Sequence, residues 1–345
     1  MQDFLKDVDA KFADLRVVKS DVTEITLRNG KIKKTANYLD KGFFVRVMND
    51  CWGYATSTDE KSLKSAIRNA EELSKTFKHS EIIEKVVENK KRYRERPKID
   101  PRYFDIEEKV KIVEECYQDA IKSGANGATV KYADAHIIIE YFNIFGAELY
   151  SEESRVFLAI SAFAKKGDRR EVIGEREGGI GGIEKVLNTE IGCKAGKRVT
   201  GLLNAEKPPS GKMNVVLDSE LASVFVHEAV GHAAEADIVL RGESVFKDMT
   251  GTKVAAENVT IVDDGSLKDG FGFIWFDSEG IEGKRTAIIE KGVLRGYMHS
   301  RTTASKMKTV PTGNGRAESY REYPIVRMTN TYLEAGDYKQ EELLE

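Results

Sequence analysis

The sequence predicts an α+β fold in which helices pack on antiparallel sheets and the chain divides into two domains. Strand signals follow one another through short turns such as Asn29-Gly30 and Lys291-Gly292, which join neighbouring strands as hairpins. Helical repeats lie between groups of strands, and this order does not suit a doubly wound sheet. A break at Pro208-Pro209-Ser210-Gly211 marks the boundary, so we predict domains at 1–207 and 208–345.

Apolar spacing predicts the elements of the N-terminal domain. Period-2 runs indicate strands, and repeats every three to four residues indicate helices. The predicted helices cover residues 4–15, 63–73, 106–121 and about 183–203, and the predicted strands cover residues 23–27, 42–47, 128–132, 137–141 and 156–163. We therefore expect a sheet with several helices packed on it.

A charged segment at about 79–103 predicts a linker within this domain, and it contains Pro97 and Pro101. A basic run, residues 90–96, lies inside it, and Tyr93 is the aromatic residue among these charges. Single-stranded nucleic-acid sites interleave several aromatic side chains with the basic ones, and this run has only Tyr93. The run therefore favours a solvated connecting face over a contact with RNA or DNA.

Composition excludes several classes of function. The 345 residues are 41% hydrophobic, enough for a sizeable core, and 54 basic against 57 acidic side chains give a net charge of −3. General binders of nucleic acid or membrane surfaces usually carry a basic excess, so we expect neither partner. Three widely spaced cysteines predict no disulfide framework. With no signal-peptide or membrane-spanning pattern, a cytoplasmic protein is the expectation.

The C-terminal domain opens with strand and helix signals. Asp218 is placed to cap a long helix that follows a predicted strand at 213–217. Further predicted strands cover residues 259–262, 273–276, 286–290 and 293–298. Asp337 and Gln340 resemble a capping box ahead of residues 341–345, which predicts a helix that begins and is cut off. The second domain is accordingly expected to be incomplete at its C-terminal end.

The motif His227-Glu-Ala-Val-Gly-His232 carries the chemistry of this chain. Hydrolytic zinc sites need neutral imidazoles as ligands, an open position for water and a carboxylate to take the proton of that water. The motif supplies most of these requirements on one predicted helix. A second interpretation is that the histidines are satisfied polar residues and that Glu235 and Asp237 solvate the end of the helix.

The spacing of the two histidines has a geometric consequence. Five residues at about 100° each would place His227 and His232 roughly 140° apart on a regular helix, so they could not share one metal. We therefore predict a π-bulge or an end to regular helix between Ala229 and His232, with Gly231 absorbing the strain. A regular α-helix through this segment would contradict a site built from both histidines.

Motifs along nearly the whole chain resemble the TldD/PmbA family, whose members are described as peptide-maturation proteases and as modulators of DNA gyrase. The shared motifs are Thr23-Glu-Ile-Thr-Leu-Arg-Asn-Gly30, Trp52-Gly-Tyr-Ala-Thr-Ser57, the His227–His232 motif with Glu235-Ala-Asp237, Asp277-Ser-Glu-Gly280, Met298-His-Ser-Arg301, Pro311-Thr-Gly-Asn-Gly-Arg316 and Arg327-Met-Thr-Asn-Thr-Tyr332. Their number and their order make the resemblance specific.

The resemblance implies a TldD-type metalloprotease subunit, because chains of that type carry the His-Glu-xxx-His pattern and PmbA-type (TldE) chains lack it. It implies a zinc metallopeptidase that acts on unfolded peptides and pairs with a PmbA/TldE-type chain in a heterodimer. His227 and His232 would then bind Zn²⁺, and Glu228 would be the general base.

The resemblance also implies a third zinc ligand, a cysteine in a C-terminal part that family members have beyond the end of this chain. Cys51, Cys116 and Cys193 do not lie in a matching context. The sequence is therefore expected to be C-terminally truncated and the site to be incomplete.

Five other polar residues could support the site. Asp277 and Glu279 could orient a ligand, line a peptide cleft or cap a turn. His299 could lie near the metal or hold the His-Ser-Arg turn. Glu235 and Asp237 could orient a ligand. The strand-rich C-terminal half suggests that peptide adds as a strand to a sheet edge, through backbone hydrogen bonds.

One alternative from another class stays open. The chain could be a non-catalytic partner or adaptor that holds peptide or a regulatory protein, although the intact His-Glu-His motif opposes this. A role in binding gyrase or nucleic acid has only the short basic run and a family description in its favour.

Overall fold

A large antiparallel sheet dominates the N-terminal part of the computed structural model, which describes residues 1–77, 89–339 and 341–344. Within these residues the sheet has seven strands in the order β3-β2-β1-β5-β6-β4, with β7 beside β6. The strands are β1 (Phe12–Arg28), β2 (Lys31–Met48), β3 (Trp52–Ser57), β4 (Lys90–Arg94), β5 (Gly127–Asn143), β6 (Glu148–Lys166) and β7 (Arg169–Ile180). Strand β4 pairs with β6 in parallel, and the other pairs are antiparallel.

The turn predicted at Asn29-Gly30 is confirmed. Asn29 (φ 49°) and Gly30 (φ 73°) both adopt left-handed backbone, as a two-residue hairpin turn of type I′ requires. From the turn, β1 pairs with β2 from Arg28–Lys31 to Phe12–Met48, with one register shift between Thr26 and Leu27. This hairpin carries much of the sheet.

Three helices pack on the sheet and make two cores. They are α1 (Leu63–Leu73), α2 (Ile106–Lys122) and α3 (Ile191–Asn204). The apolar faces of α2 and α3 bury against β5 and β6, and α1 packs with β1, β2 and β3. A capping box between Asp105 and Glu108 begins α2, so this helix starts where its periodicity predicts.

Several N-terminal predictions are wrong in extent or type. The opening helix at 4–15 is only a 3₁₀ turn at Gln2–Leu5 followed by β1, because Phe12 and Leu15 belong to a strand buried along this stretch. The strands predicted at 128–132 and 137–141 are one strand, β5. The helix predicted at about 183–203 begins at Ile191, since Asn188 turns the chain with φ 55° after the 3₁₀ turn Ile183–Lys185.

The charged segment at 79–103 lies partly outside the described residues, and its remainder is not all linker. Lys90–Arg94 pairs with β6 as an edge strand, and Pro101–Tyr103 forms a 3₁₀ turn. Most side chains of β4 stay exposed, and Tyr93 is the half-buried exception, stacked on Trp275 with ring centroids 5.0 Å apart. This strand was not predicted because its residues are mostly charged. An edge strand needs few apolar residues, so β4 lacks the apolar alternation that indicates a strand.

The C-terminal part has a smaller sheet with short helices. Its strands, among the described residues, run in the order β10-β9-β8-β13, with a separate β11–β12 pair. The elements are α4 (Ser219–Val226), α5 (Ala236–Arg241), β8 (Ile261–Asp264), β9 (Arg285–Glu290), β10 (Val293–Leu294), α6 (Arg301–Lys306), β11 (Gly315–Arg316), β12 (Ile325–Val326) and β13 (Thr331–Leu333). Asp218 caps α4 as predicted, accepting from the backbone N–H of Leu221 at 2.8 Å.

Other C-terminal predictions fail or lie outside the description. Residues 213–217 form no strand, and the strand predicted at 293–298 shrinks to Val293–Leu294. The strand at 273–276 is reduced to a single bridge between Phe276 and Glu282. The predicted terminal helix lies partly outside the described residues, since Gln340 and Glu345 are not described.

A buried carboxylate organises the loops of this part. Asp263 accepts hydrogen bonds from Asn314 Nδ2 at 2.7 Å, Thr329 Oγ1 at 2.6 Å and Thr331 Oγ1 at 2.7 Å. These donors belong to two of the motifs that resemble the TldD/PmbA family. Their role in this structure is therefore to hold two loops against β8.

A buried ion cluster joins the two parts of the chain. Arg46, on β2, forms ion pairs with Asp14 on β1 and with Glu279, and all three side chains are at most 3% exposed. Glu279 also accepts the backbone N–H of Arg301 at 2.6 Å, at the start of α6. The cluster fixes the large sheet against the loop that carries Glu279.

None of the described helices is both long and apolar enough to span a bilayer.

Candidate metal centre

The helix that carries the His-Glu-His motif changes type at the motif itself. Regular helix α4 ends at Val226, and residues His227–Gly231 form a π-helix. The backbone N–H of His232 donates to the carbonyl of His227, five residues earlier, which is the π-type bond. The predicted π-bulge is therefore confirmed.

The widened turn brings the two histidines together. Their ring centroids are 4.9 Å apart and the rings are nearly perpendicular, at 84°. The ligand atoms offered by His227, Glu228 and His232 all lie within 4.8 Å of one another. Of the described residues, this is the group of histidine, cysteine and acidic side chains whose geometry suits a metal ion.

Burial on one side and exposure on the other fix the orientation of the motif. Val226 and Val230 point into the core of the C-terminal part, where they pack with Met298 and Met328. His227 and Glu228 are exposed on the opposite side. The fold therefore anchors the helix by its apolar residues and presents the polar ones to solvent.

Gly231 has a different role from the predicted one. Its backbone is ordinary right-handed helix, with φ −56° and ψ −60°, so it does not absorb unusual backbone strain. A Cβ at this position would instead overlap the sulfur of Met328. A residue without a Cβ fits here because the side chain of Met328, in the loop between β12 and β13, lies directly against the π-turn.

Gly231→Ala should lower the free energy of unfolding by about 1–3 kcal/mol, because the added methyl group overpacks the contact with Met328. Chemical denaturation measures this loss. The matched control is Gly296→Ala, since no atom lies within 4 Å of a Cβ built there and the change should be nearly neutral. The double variant Gly231→Ala with Met328→Ala should lose less stability than the sum of the two single losses, because the added methyl group no longer meets the sulfur. Strictly additive losses would contradict direct contact.

Glu235 holds the second histidine. Nδ1 of His232 lies 3.2 Å from Oε1 of Glu235, a side chain that is 4% exposed. A carboxylate at Nδ1 favours the tautomer whose Nε2 lone pair is free. Burial raises the pKa of the Glu235 carboxyl above its usual range, and His232 opposes that rise. Glu235 is itself fixed by a backbone bridge to Met298.

The other suggested residues lie in structural positions. Asp277 caps its own turn and accepts from the backbone N–H of Glu279 and Ile281, each at 2.9 Å. Burial, with Glu279 adding to it, raises the pKa of Asp277 to about 7. His299 is buried in its turn, 3.2 Å from Thr303 Oγ1, and burial lowers its pKa to about 4. Neither belongs to the group of metal-binding geometry among the described residues.

Asp237 and Glu279 also have structural roles. Asp237 lies in the first turn of α5 and faces Arg241 at 3.7 Å, so it solvates that helix. Glu279 belongs to the ion cluster around Arg46. That cluster was not predicted, and the signal that could have indicated it is Arg46 itself, an arginine inside the apolar run 43–48. None of the cysteines belongs to the metal-binding group found among the described residues, and Cys116 is on the buried face of α2.

A His-Glu-His centre on a distorted helix, in an α+β chain, is the arrangement of a metallopeptidase-type protein. Family models described as PmbA/TldA metallopeptidase domain 1, central domain and C-terminal domain match residues 13–74, 99–203 and 210–345. The chain belongs to the TldD/PmbA family of metallopeptidases.

Relatives of the chain carry metalloprotease names. A metalloprotease of Methanocaldococcus jannaschii is 39% identical over 97% of this chain and 76% of its own length. One of Archaeoglobus fulgidus is 37% identical, covering 97% and 77%. A zinc metalloprotease TldD homolog of Saccharolobus solfataricus is 29% identical, covering 99% and 76%. The site therefore lies in a chain whose relatives are named as TldD-type metalloproteases.

Solved structures share the fold. A protein of Thermotoga maritima, described as a candidate modulator of a DNA gyrase, gives a TM-score of 0.83 at 22% identity, covering 96% of this chain and 76% of its own. TldE of Thermococcus kodakarensis gives 0.76 at 19% identity, covering 97% and 77%. The predicted α+β class with antiparallel sheets is confirmed, and at these identities the likeness concerns the fold alone.

Proposed function

We propose that this protein is a zinc-dependent peptidase subunit that cleaves unfolded peptides, with His227 and His232 as zinc ligands and Glu228 as general base. The observation that carries the proposal is the π-turn, because it gathers two imidazoles that a regular helix would separate. It does so on a helix face where Glu228 is open to solvent.

The donor set fits zinc. Imidazole nitrogens are ordinary zinc ligands, and catalytic zinc sites keep one of four positions for water. Two imidazoles and a water leave one position, which a third protein ligand would fill. Bound zinc would lower the pKa of that water and polarise the peptide carbonyl.

Glu228 supplies the proton transfer in this proposal. Its carboxylate lies beside both imidazoles yet is exposed, so a water held at the centre can donate its proton to a Glu228 oxygen. The same oxygen can then deliver the proton to the leaving amine. The test measures cleavage of an unstructured peptide and bound zinc in parallel, in the wild type and in Glu228→Gln; unchanged cleavage would overturn the assignment.

Glu235 is a positioning residue for His232. Glu235→Gln should weaken zinc binding by about 10- to 100-fold, because the amide orients the imidazole less firmly than the carboxylate does. Competition with a metal chelator of known affinity measures the change. Glu243→Gln, at an exposed carboxylate that pairs with Arg241, is the control and should leave zinc affinity unchanged. Equal affinities in the two variants would remove Glu235 from the site.

We further propose a heterodimer with a PmbA/TldE-type chain in the cytoplasm. The family resemblance supports the pairing, and three free cysteines suit a reducing compartment. Co-expression with such a chain should give one complex by size-exclusion chromatography. Two separate peaks at micromolar concentration would contradict the pairing.

A further inference from the structure

A polar cavity of about 310 Å³ opens on the face of the large sheet that is turned away from the C-terminal part. Successive side chains of a strand point to opposite faces. Asp14, in the ion cluster with Glu279, and Thr23 are an odd number of positions apart on β1, so Thr23 lies on the other face. Thr23 lines the cavity with its register partners, Asn37 on β2 and Asp134 on β5. The cavity is therefore distinct from the candidate metal centre.

A buried ion pair lines this cavity. Lys109, in the first turn of α2, and Asp134 are both 4% exposed. Nζ of Lys109 lies 2.7 Å from Oδ2 of Asp134 and donates to Thr23 Oγ1 at 3.2 Å. Apolar residues of the same volume would hold α2 on the sheet at least as well, because two charges lose their water when they are buried. A ligand in the cavity accounts for the pair better than stability does.

The free groups of the cavity are hydrogen-bond acceptors. The Tyr132 hydroxyl and Lys109 both contact Oδ2 of Asp134, so Oδ1 is left without a partner among the described residues. The carboxylate of Asp21 also lines the cavity, and no described residue bonds to it. A ligand that satisfies these oxygens has to donate hydrogen bonds.

Charge balance indicates that the ligand is a cation. Lys109 neutralises Asp134 within their ion pair. Arg102, the second cation that lines the cavity, is already engaged, with Nη2 2.7 Å from Oδ2 of Asp100. Asp21 is left as the uncompensated charge of the lining residues. An anionic ligand would meet this carboxylate without a free cation to hold it.

Asp21 and Asp134 are close enough for one ammonium group to reach both. Asp21 pairs in register with His136, two positions from Asp134, so the two carboxylates belong to diagonal neighbours across β1 and β5. Such neighbours are about 7–8 Å apart. Burial raises the pKa of the Asp134 carboxyl, and repulsion from Asp21 adds to the rise. A cation between the two side chains would relieve this repulsion.

We infer that the cavity binds a small primary amine that carries a hydrocarbon group. Its ammonium donates to Asp21 and to Oδ1 of Asp134, and its hydrocarbon part lies against Phe104 and Ile106, the large apolar residues of the cavity wall. The volume of about 310 Å³ is at the lower end of the range for small-molecule sites. The inference concerns a second site and does not rest on the proposed peptidase function.

The test is isothermal titration calorimetry with leucinamide, a primary amine with a branched hydrocarbon side chain. The wild-type protein should bind leucinamide at the cavity. N-Acetylleucinamide should bind about tenfold more weakly or not at all, because acetylation removes the charge that strengthens the hydrogen bonds. Asp21→Asn should weaken leucinamide binding by about tenfold or more for the same reason. Since no described residue bonds to Asp21, this variant should fold like the wild type.

Asp168→Asn is the control, at an exposed carboxylate in the turn between β6 and β7. It should bind leucinamide with wild-type affinity, and so should Glu228→Gln. Equal affinities for leucinamide and its acetyl derivative, or for the wild type and Asp21→Asn, overturn the inference. Loss of binding in Glu228→Gln also overturns it, because the amine would then lie at the candidate metal centre. Heat from CaCl₂ or MgCl₂ but none from leucinamide would show a metal site instead of an amine site.

Discussion

Glu228→Gln should reduce peptide cleavage by about two to four orders of magnitude while leaving bound zinc unchanged. Glutamine keeps the size of the side chain but cannot accept the proton of the attacking water. Glu228 is not one of the two imidazole ligands, so its replacement should not release the metal. The measurement pairs initial rates on an unstructured peptide with zinc content by atomic absorption.

The matched control for this change is Glu257→Gln, at an exposed carboxylate outside the motif. It should cleave at the wild-type rate. Loss of cleavage together with loss of zinc in Glu228→Gln would make Glu228 a ligand rather than a base. A rate within a factor of two of the wild type would exclude it from the chemistry.

Arg46→Ala should lower the free energy of unfolding by about 3–5 kcal/mol, since it strands two carboxylates in the interior. Asp14 and Glu279 are 2% and 1% exposed, and Arg46 is the cation that bonds to both. Burial in itself disfavours a charged arginine, but these carboxylates hold the pKa of Arg46 well above its ordinary value. The contact that this substitution weakens joins the large sheet to the C-terminal part.

Chemical denaturation of wild type and variant measures this loss. Arg68→Ala is the control, because Arg68 is an exposed residue of α1, and it should change stability by less than about 0.5 kcal/mol. If Arg46→Ala cost no more than Arg68→Ala, the ion cluster would not contribute to holding the two parts together.

Local patterns predicted the parts of the fold that local physics decides. The Asn29-Gly30 hairpin, the α2 helix with its capping box and the Asp218 cap all depend on residues a few positions apart. Only residues 23–27 of β1 are predicted as strand. The first residues of β1 are predicted as helix because Phe4, Val8 and Phe12 imitate a helical period, whereas the partners of this stretch lie on β2 and β5. Pairing across the sheet overrides a short periodicity.

The candidate site could also be predicted only in part from the sequence. If His227 and His232 bind one metal, their five-residue spacing requires either a π-bulge or an end to regular helix, and the structure has the π-turn. The reason for Gly231 was not predictable, because Met328 reaches it from a distant loop. The ion pair between Arg46 and Glu279 was not predictable for the same reason, since the two residues lie far apart in the sequence.

The most direct test of the central claim is X-ray diffraction from zinc-soaked crystals, with anomalous data collected at the zinc edge. The account predicts a single strong peak about 2.0–2.1 Å from one imidazole nitrogen of His227 and one of His232, with the π-turn retained. A peak bound by neither histidine, or by only one of them, would contradict a metal centre built on this turn.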